Sequence, residues 1–408
     1  MAVDIAPAPG DGGGVSSVGR FAARLHALGA DVSAAVRRVT GYASRVRTTG
    51  SVGPRERTRL VVSAALDEAL LTTFQTLRAP TDFTEFASKL QEADELVVHL
   101  EAAGAFDAPA DYHHRPGPAT FEGTARRVGH VRFQHVTFAS PYRPDASVPG
   151  AARFEEQTDN HSAHAWVLGH DHAAPWVVCV HGAGMGNPLA DIFAFRAGAL
   201  HRAGFNVAIP VLPHHGPRGA GRFAVAFPTD DPVVNFHGAA QAIADVRAVV
   251  ATVSAGGEPV VLHGISLGAY VASAVAALDT SVCGVIVGVP VVDLPGLMRT
   301  HAPARFTHHP LFETLFTISE RLEAMTSSLA LPLPTASVRR VWAGRADRLV
   351  RPNQVQRLID RWSVEDAYWY QAGHMGFLGA SGVRRYIARA LVDAGVATDV
   401  RGKIRAVA

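Results

Sequence analysis

The stretch Val260-Val-Leu-His-Gly-Ile-Ser-Leu-Gly-Ala-Tyr270 constrains this chain more than any other. Val260 to Leu262 read as a buried strand and Ala269 to Leu278 as a helix, with Ser266 on the turn between them. A strand that turns so sharply into a helix has no room for side chains two positions either side of the apex. Gly264 and Gly268 stand at those two places. They relieve the clash and let the apex residue adopt a strained backbone. The Ser266 hydroxyl then points into open space above the sheet, at a helix N-terminus, as a nucleophile does on a strand-turn-helix elbow.

The surrounding texture agrees with such an elbow. From about residue 125 onward, candidate strands at 129–138, 163–168, 175–180, 205–210, 258–263, 284–289, 338–343 and 366–370 alternate with helical patterns, most clearly after 188. That alternation implies a mostly parallel sheet of eight strands with helices on both faces. Ligands in such sheets sit beyond the carboxyl ends of the strands. Before this region the pattern is helical. One stripe runs Phe21, Leu25, Leu28, Val32, Val36 and Val39, and a second runs Leu60, Ala65, Leu66, Ala69, Leu70, Phe74 and Leu77. A third helix opens at Asp82 with Glu85 three residues on, a capping-box spacing. The expected division is a disordered Gly/Pro/Ala-rich start at 1–15, a helical extension at 16–124, the sheet domain at 125–395 and a tail at 396–408.

A serine hydroxyl needs a general base within reach and a carboxylate to orient that base. His374 lies just after the last candidate strand, on a loop flanked by Gly373 and Gly376. Asp347 lies just after the preceding strand, before a helix opened by Pro352. The chain order Ser266, Asp347, His374 is the one associated with a strand-turn-helix serine. Asp293, after the 284–289 strand, is the alternative acid; its other reading is a helix cap. Oxyanion donors are expected from Leu267 N–H and from the loop His181-Gly182-Ala183-Gly184-Met185-Gly186, with Ala183 N–H as the second donor. Candidate substrate contacts are His181, Gly182, Met185, His214, His215, Arg218 and Met375. For His214, His215 and Arg218, loop structure and buried hydrogen bonding are the alternative.

Taken together, the motifs HGAGMG, PVLPHHGPRG, HGISLGAY, WAGRADRLV and GHMGF resemble, in order, those of the α/β-hydrolase superfamily. They are most similar to a group of bacterial α/β-hydrolase domain proteins with a helical N-terminal extension. The resemblance covers about 125–395 and implies an α/β-hydrolase fold with an eight-stranded, mostly parallel sheet, a serine nucleophile, an acyl-enzyme route and no metal or other cofactor. Two departures stand out: the helical segment 1–110, and an extra His-Arg pair in the Gly-rich segment after the fourth strand. A lid often interrupts this family's fold where 294–336 stands here, and its apolar residues read either as a short helical cap lining an acyl pocket or as ordinary core.

Other features narrow the function. Net charge is +2 with 18% charged residues, so no strong field points to nucleic acid. Seven arginines between Arg37 and Arg59 invite an anionic partner or a membrane surface, but a solvated helix end is the commoner source of such a run. His161, His164, His170 and His172 invite a zinc reading, but the cluster has no cysteine and a serine hydrolase needs no metal. Cys179 and Cys283 sit in separate Val-rich runs, which does not suggest a disulfide framework. The N-terminus lacks the order of a signal peptide, and no apolar run approaches the ~18 residues that span a bilayer. The expectation is a cytoplasmic enzyme acting on a small-molecule ester or acyl substrate, with no nucleic acid and no membrane span. Its N-terminal helices are available for a homodimer. An oligopeptidase-like amidase, an acyltransferase and an inactive binding protein on the same fold are the alternatives.

Overall fold

Strands covered on both faces have no polar face to alternate with, so they read as continuous apolar runs. The Val-rich segments of this chain form the middle of its sheet for that reason. The computed structural model describes residues 53–78, 83–219 and 227–397, together with 33, 35–37 and 39–44. Its strands are β1 (Glu122–Val128), β2 (Val131–Ala139), β3 (Ser162–Leu168), β4 (Trp176–Val180), β5 (Asn206–Val211), β6 (Val260–Ile265), β7 (Val282–Gly288), β8 (Val338–Gly344) and β9 (Tyr368–Tyr370). They form one sheet in the order β1-β2-β3-β5-β4-β6-β7-β8-β9. β1, β2 and β3 pair antiparallel, as does β3 with β5, and every pairing from β5 to β9 is parallel.

Among the described residues the sheet has nine strands, where the sequence predicted eight. The additional strand is β1, whose residues are exposed along almost its whole length. An edge strand of this kind carries no apolar alternation to read. The strand expected at 129–138 is the second arm of a hairpin that turns at Gly129, where φ is +55°.

The helices are α1 (Pro54–Arg78), α2 (Phe83–Ala102), α3 (Pro188–Ala194), α4 (Ala197–Arg202), α5 (Pro232–Val253), α6 (Leu267–Leu278), α7 (Leu294–Thr300), α8 (Leu311–Glu323), α9 (Pro352–Trp362) and α10 (Ser381–Asp393), with single turns at Ala151–Glu155 and Ala304–Thr307. α5 shows how such a helix is started: Asp231 accepts from the Val233 and Val234 N–H groups, and Pro232 occupies the first helical position. Side chains alternate across each strand, so β4 sends Val178 and Val180 into one core and Val177 and Cys179 into the other. The first core lies under α5, α6 and α9, and the second under α3, α4 and α10. Among the described residues no helix is long and apolar enough to cross a membrane.

The N-terminal helices pack on the rest of the chain, and in one case on a face other than the expected one. In α2, Phe86, Leu90, Leu96, Val97 and Leu100 join Phe306, Phe312, Leu315, Phe316, Ile318, Leu322 and Met325 in a third apolar cluster. The apolar residues of 294–336 are therefore buried largely against α2 and the start of α5. In α1 the predicted stripe through Ala65, Leu66 and Ala69 faces solvent, with Leu66 55% exposed. The buried face instead carries Leu60, Ser63, Ala64, Asp67, Glu68, Leu71 and Thr72. Two buried carboxylates on that face mask it from a reading based on apolar spacing. The predicted apolar stripe Phe21–Val39, the 1–15 start, Arg38, Arg45, Arg47 and nearly all of the 396–408 tail lie wholly or largely outside the described residues.

Candidate active site

Ser266 stands between β6 and α6 with φ +57° and ψ −118°, an arrangement that a residue with a Cβ adopts only under strain. The two glycines of the elbow are demanded by close neighbours. A Cβ on Gly268 would lie 1.9 Å from the Val180 carbonyl oxygen, and one on Gly264 would lie 2.4 Å from the Gly268 carbonyl oxygen. The apex is held from both sides. Ser266 N–H donates to the Gly288 carbonyl (2.9 Å), and its own carbonyl accepts from the Ala269 N–H (3.0 Å).

Two further strand ends bring in the imidazole and the carboxylate. His374 follows β9 and opens a short 3-10 turn, His374–Gly379. Asp347 lies in the turn after β8. Its Oδ1 accepts from the N–H groups of Leu349 and Val350, both at 2.9 Å, which leaves Oδ2 to face His374 Nδ1 at 2.8 Å. His374 Nε2 lies 3.1 Å from Ser266 Oγ. An ionised carboxylate can only accept, so Nδ1 carries the proton and Nε2 is left as the acceptor toward the serine hydroxyl. Ser266, Asp347 and His374 are all nearly or fully buried. Burial disfavours a charged ring at His374, but the charge and hydrogen bond of Asp347, with a smaller contribution from Asp67, outweigh it and raise the imidazole above its ordinary pKa.

The loop after β4 presses on the elbow. A Cβ on Gly182 would lie 3.3 Å from Ser266 Cβ, and the Met185 N–H closes a turn onto the Gly182 carbonyl (3.3 Å). Ala183 sits in that turn, and Leu267 is the first residue of α6. Both expected oxyanion donors thus belong to segments that flank Ser266.

Four of the candidate substrate contacts are internal. His181 donates from Nδ1 to the Gly182 carbonyl (2.8 Å) and accepts at Nε2 from the Leu212 N–H (3.0 Å), tying β4 to the end of β5. His214, at φ +59°, is clasped by Asn160, which receives its N–H (2.8 Å) and lies 3.0 Å from Nδ1. Burial and the nearby Arg218 charge push the His214 imidazole down to about 4. His215 Nδ1 donates to the Pro213 carbonyl (2.8 Å). The Arg218 guanidinium is wholly buried and bonds to Asp245 and to the carbonyls of Val211 and Asn160, the buried arrangement given above as the alternative to a substrate contact. Met185 and Met375 remain partly open at the rim.

The alternative acid is a cap. Asp293 Oδ1 accepts from the Gly296 N–H at the start of α7 (2.7 Å), and Oδ2 pairs with Arg357 (2.7 Å). The four histidines considered for zinc do not converge. His164 pairs with His135 (2.9 Å), the His170 ring stacks on His201 at 3.9 Å, His161 lies 2.8 Å from Glu155, and His172 lies 3.1 Å from Asp171. A cavity of about 390 Å³ opens between Leu189, Phe193 and Leu378, but Ile265 and Phe377 line it while Ser266, Asp347 and His374 do not.

One residue at the site went unseen in the sequence. Asp67 of α1 is fully buried and accepts the His374 N–H at 2.9 and 3.0 Å and the Arg348 N–H at 3.0 Å. The available signal was the acidic pair Asp67-Glu68 within the apolar run Leu60–Leu71, where seven-residue spacing from Leu60 puts Asp67 on one face with Ala64 and Leu71.

Comparison with known proteins yields both a family and relatives. The alpha/beta hydrolase family matches residues 177–399. An uncharacterised protein of Mycobacterium tuberculosis strain CDC 1551 / Oshkosh is 36% identical over 345 residues, covering 83% of each chain. Its counterpart in strain ATCC 25618 / H37Rv is 36% identical over 348 residues, again with 83% coverage of each. Among solved structures, the chain is similar to a cold-adapted esterase from an Arctic intertidal metagenomic library, with 16% identity, a TM-score of 0.45 and coverage of 68% of this chain and 100% of that one. It is also similar to a Mycobacterium tuberculosis puromycin-hydrolyzing peptidase, with 15% identity, a TM-score of 0.42 and coverage of 67% and 40%.

Proposed function

The chain belongs to the alpha/beta hydrolase family, and from that premise we propose that it is a serine hydrolase cleaving a carboxylic ester or thioester through an acyl-enzyme. The observation that carries this reading is the unbroken line from Ser266 Oγ through the His374 ring to Asp347 Oδ2, with contacts of 3.1 and 2.8 Å. In this reading the chemistry belongs to 125–395 with a cap at 294–336, and 16–124 is a helical extension.

His374 Nε2 takes the Ser266 proton as Oγ bonds to the substrate carbonyl carbon. The oxygen of that carbonyl becomes an oxyanion, held by the Leu267 and Ala183 N–H groups. Collapse breaks the bond to the alcohol or thiol, which leaves with the proton from His374. Water then gives a proton to His374 as it attacks the acyl carbon, and the acid departs as the proton returns to Ser266 Oγ. Asp347 keeps the ring in one tautomer and stabilises its charged form throughout.

The test is labelling with a fluorophosphonate probe, comparing the wild type with Ser266→Ala, alongside a series of p-nitrophenyl esters of rising chain length. Labelling and turnover that both vanish in the variant support the reading, and the preferred chain length sizes the acyl site. A well-folded wild-type protein that neither labels nor turns over any ester overturns it.

A further inference from the structure

We propose that Asp67, on helix α1 of the N-terminal extension, is a positioning residue of the active site. Its carboxylate holds the backbone of His374 and of Arg348 in the register that sets the imidazole against Ser266 and Asp347. This inference rests on the reading of those three residues as the catalytic set.

The geometry is specific. Asp67 Oδ2 accepts from both the Arg348 N–H and the His374 N–H, while Oδ1 accepts from His374 alone. Arg348 directly follows Asp347, so one carboxylate ties together the two turns that carry the acid and the base. The His374 carbonyl is held in its turn by the Tyr370 hydroxyl at 3.1 Å. His374 is therefore gripped at its N–H, its carbonyl and both ring nitrogens, and only the N–H contact comes from outside the sheet domain. The loop is built around that contact: a Cβ on Gly373 would lie 2.5 Å from Asp67 Oδ2. Beside it Glu68 pairs with the Arg348 guanidinium at 2.5 Å and docks the helix on the same turn.

A neutral acceptor would satisfy the same N–H groups without burying a charge, so the carboxylate has an electrostatic consequence as well. Around Asp67 stand Glu68 on its own helix, Asp347 and Arg348 on the turn after β8, and the His374 ring. His301 and Arg351 lie further out. Burial and then the Asp347 charge push the Asp67 carboxyl up to about 6, against the lowering effect of the two backbone N–H groups and the His374 ring. In return, the Asp67 charge favours protonation of His374. Removing that charge lowers the imidazole pKa, so the acid limb of activity moves to lower pH.

The experiment compares the full-length wild type with Asp67→Asn, Asp67→Ala and Glu68→Gln. It measures kcat and KM across pH, and follows the His374 ring by NMR titration. In Asp67→Asn the amide oxygen can still accept both N–H groups at the Oδ2 position, so the fold survives, the acid limb shifts down and kcat falls with KM little changed. Asp67→Ala frees both turns and lowers kcat about 100-fold, the scale of an ångström-sized misplacement. Should Asp67→Ala fail to fold, Asp67→Asn carries the test. Glu68→Gln loses the docking pair but leaves the limb in place. An Asp67→Asn protein with wild-type kcat and limb overturns the proposal, as does a Glu68→Gln protein that shifts as far as Asp67→Asn. If the wild type neither labels at Ser266 nor turns over esters, the catalytic reading falls. The NMR titration needs no turnover: a lower His374 pKa in Asp67→Asn supports the link between Asp67 and the ring, and an unchanged one refutes it.

Discussion

Arg218 and Asp245 form an ion pair of 2.7 Å whose side chains are 0% and 3% exposed. Around it Asp245 Oδ1 accepts from the Ser140 hydroxyl (2.6 Å), and Arg218 donates to the carbonyls of Val211 and Asn160 (2.9 Å each). The pair fastens the loop after β5 to helix α5 and to the residues leading into β3. Both side chains are taken up by these internal contacts.

Asp245→Asn leaves that guanidinium charged, buried and unpaired, a loss of about 3–5 kcal/mol in such settings. Urea denaturation is expected to show a drop of that order, while the folded fraction reacts with a fluorophosphonate at the wild-type rate. A raised KM at unchanged stability would instead make Arg218 a substrate contact.

Asp347→Asn is expected to lower kcat about 10,000-fold at neutral pH with little change in stability, because an amide facing Nδ1 favours the wrong tautomer. Asp293→Asn is the matched control. Asp293 caps α7 and pairs with Arg357, so its loss touches stability and leaves kcat within a factor of two or so. Steady-state kinetics on both variants decide between the two acids; the reverse pattern would exchange their roles.

Gly268→Ala is expected to destabilise the protein by at least about 3 kcal/mol, because its Cβ would meet the Val180 and His181 carbonyl oxygens at 1.9 and 2.4 Å. Both oxygens belong to backbone at the end of β4 and cannot rotate away. Gly379→Ala, with nothing within 4 Å of the added methyl, should stay within about 0.5 kcal/mol of wild type. Thermal melts of the pair test whether the elbow glycines are steric requirements.

Asp67 also makes a prediction about stability and pH. Its folded pKa of about 6 lies above the unfolded value near ~3.9, so between those values the native state binds more protons than the unfolded one. Stability contributed by this group is therefore present below the unfolded pKa and lost as pH rises through the folded one. Relative to Asp67→Asn, the wild type should lose on the order of 3 kcal/mol between about pH 4 and 6. The difference between the two proteins' stability curves reports Asp67 together with the change it makes at His374, since groups remote from both titrate alike in the two proteins. A flat difference would mean that the carboxyl is not raised.

The residues flanking Ser266 show how much of this protein is local. A β-branched run, a glycine two positions before the serine, another two positions after it and an Ala-rich helix together specify the elbow, because each constraint acts within a few residues of the apex. Asp347 and His374 were legible for the same reason: each follows a strand-like run in a parallel sheet, and parallel topology carries every such end to one rim. The count of nine strands was not legible, because β1 is exposed and has no apolar signature. The fates of Arg218, His181 and His214 depended on Asp245, Leu212 and Asn160, partners 27 to 54 positions away that no spacing rule connects. Asp67 lies 307 positions from His374, on a face whose burial is decided by what docks there rather than by its own apolarity. Sequence alone determined the fold class and the placing of Ser266, Asp347 and His374 at neighbouring strand ends, because turn sterics and strand order are written locally. Only tertiary structure decided which polar groups are buried together, because a buried carboxylate or guanidinium is identified by partners brought from distant parts of the chain.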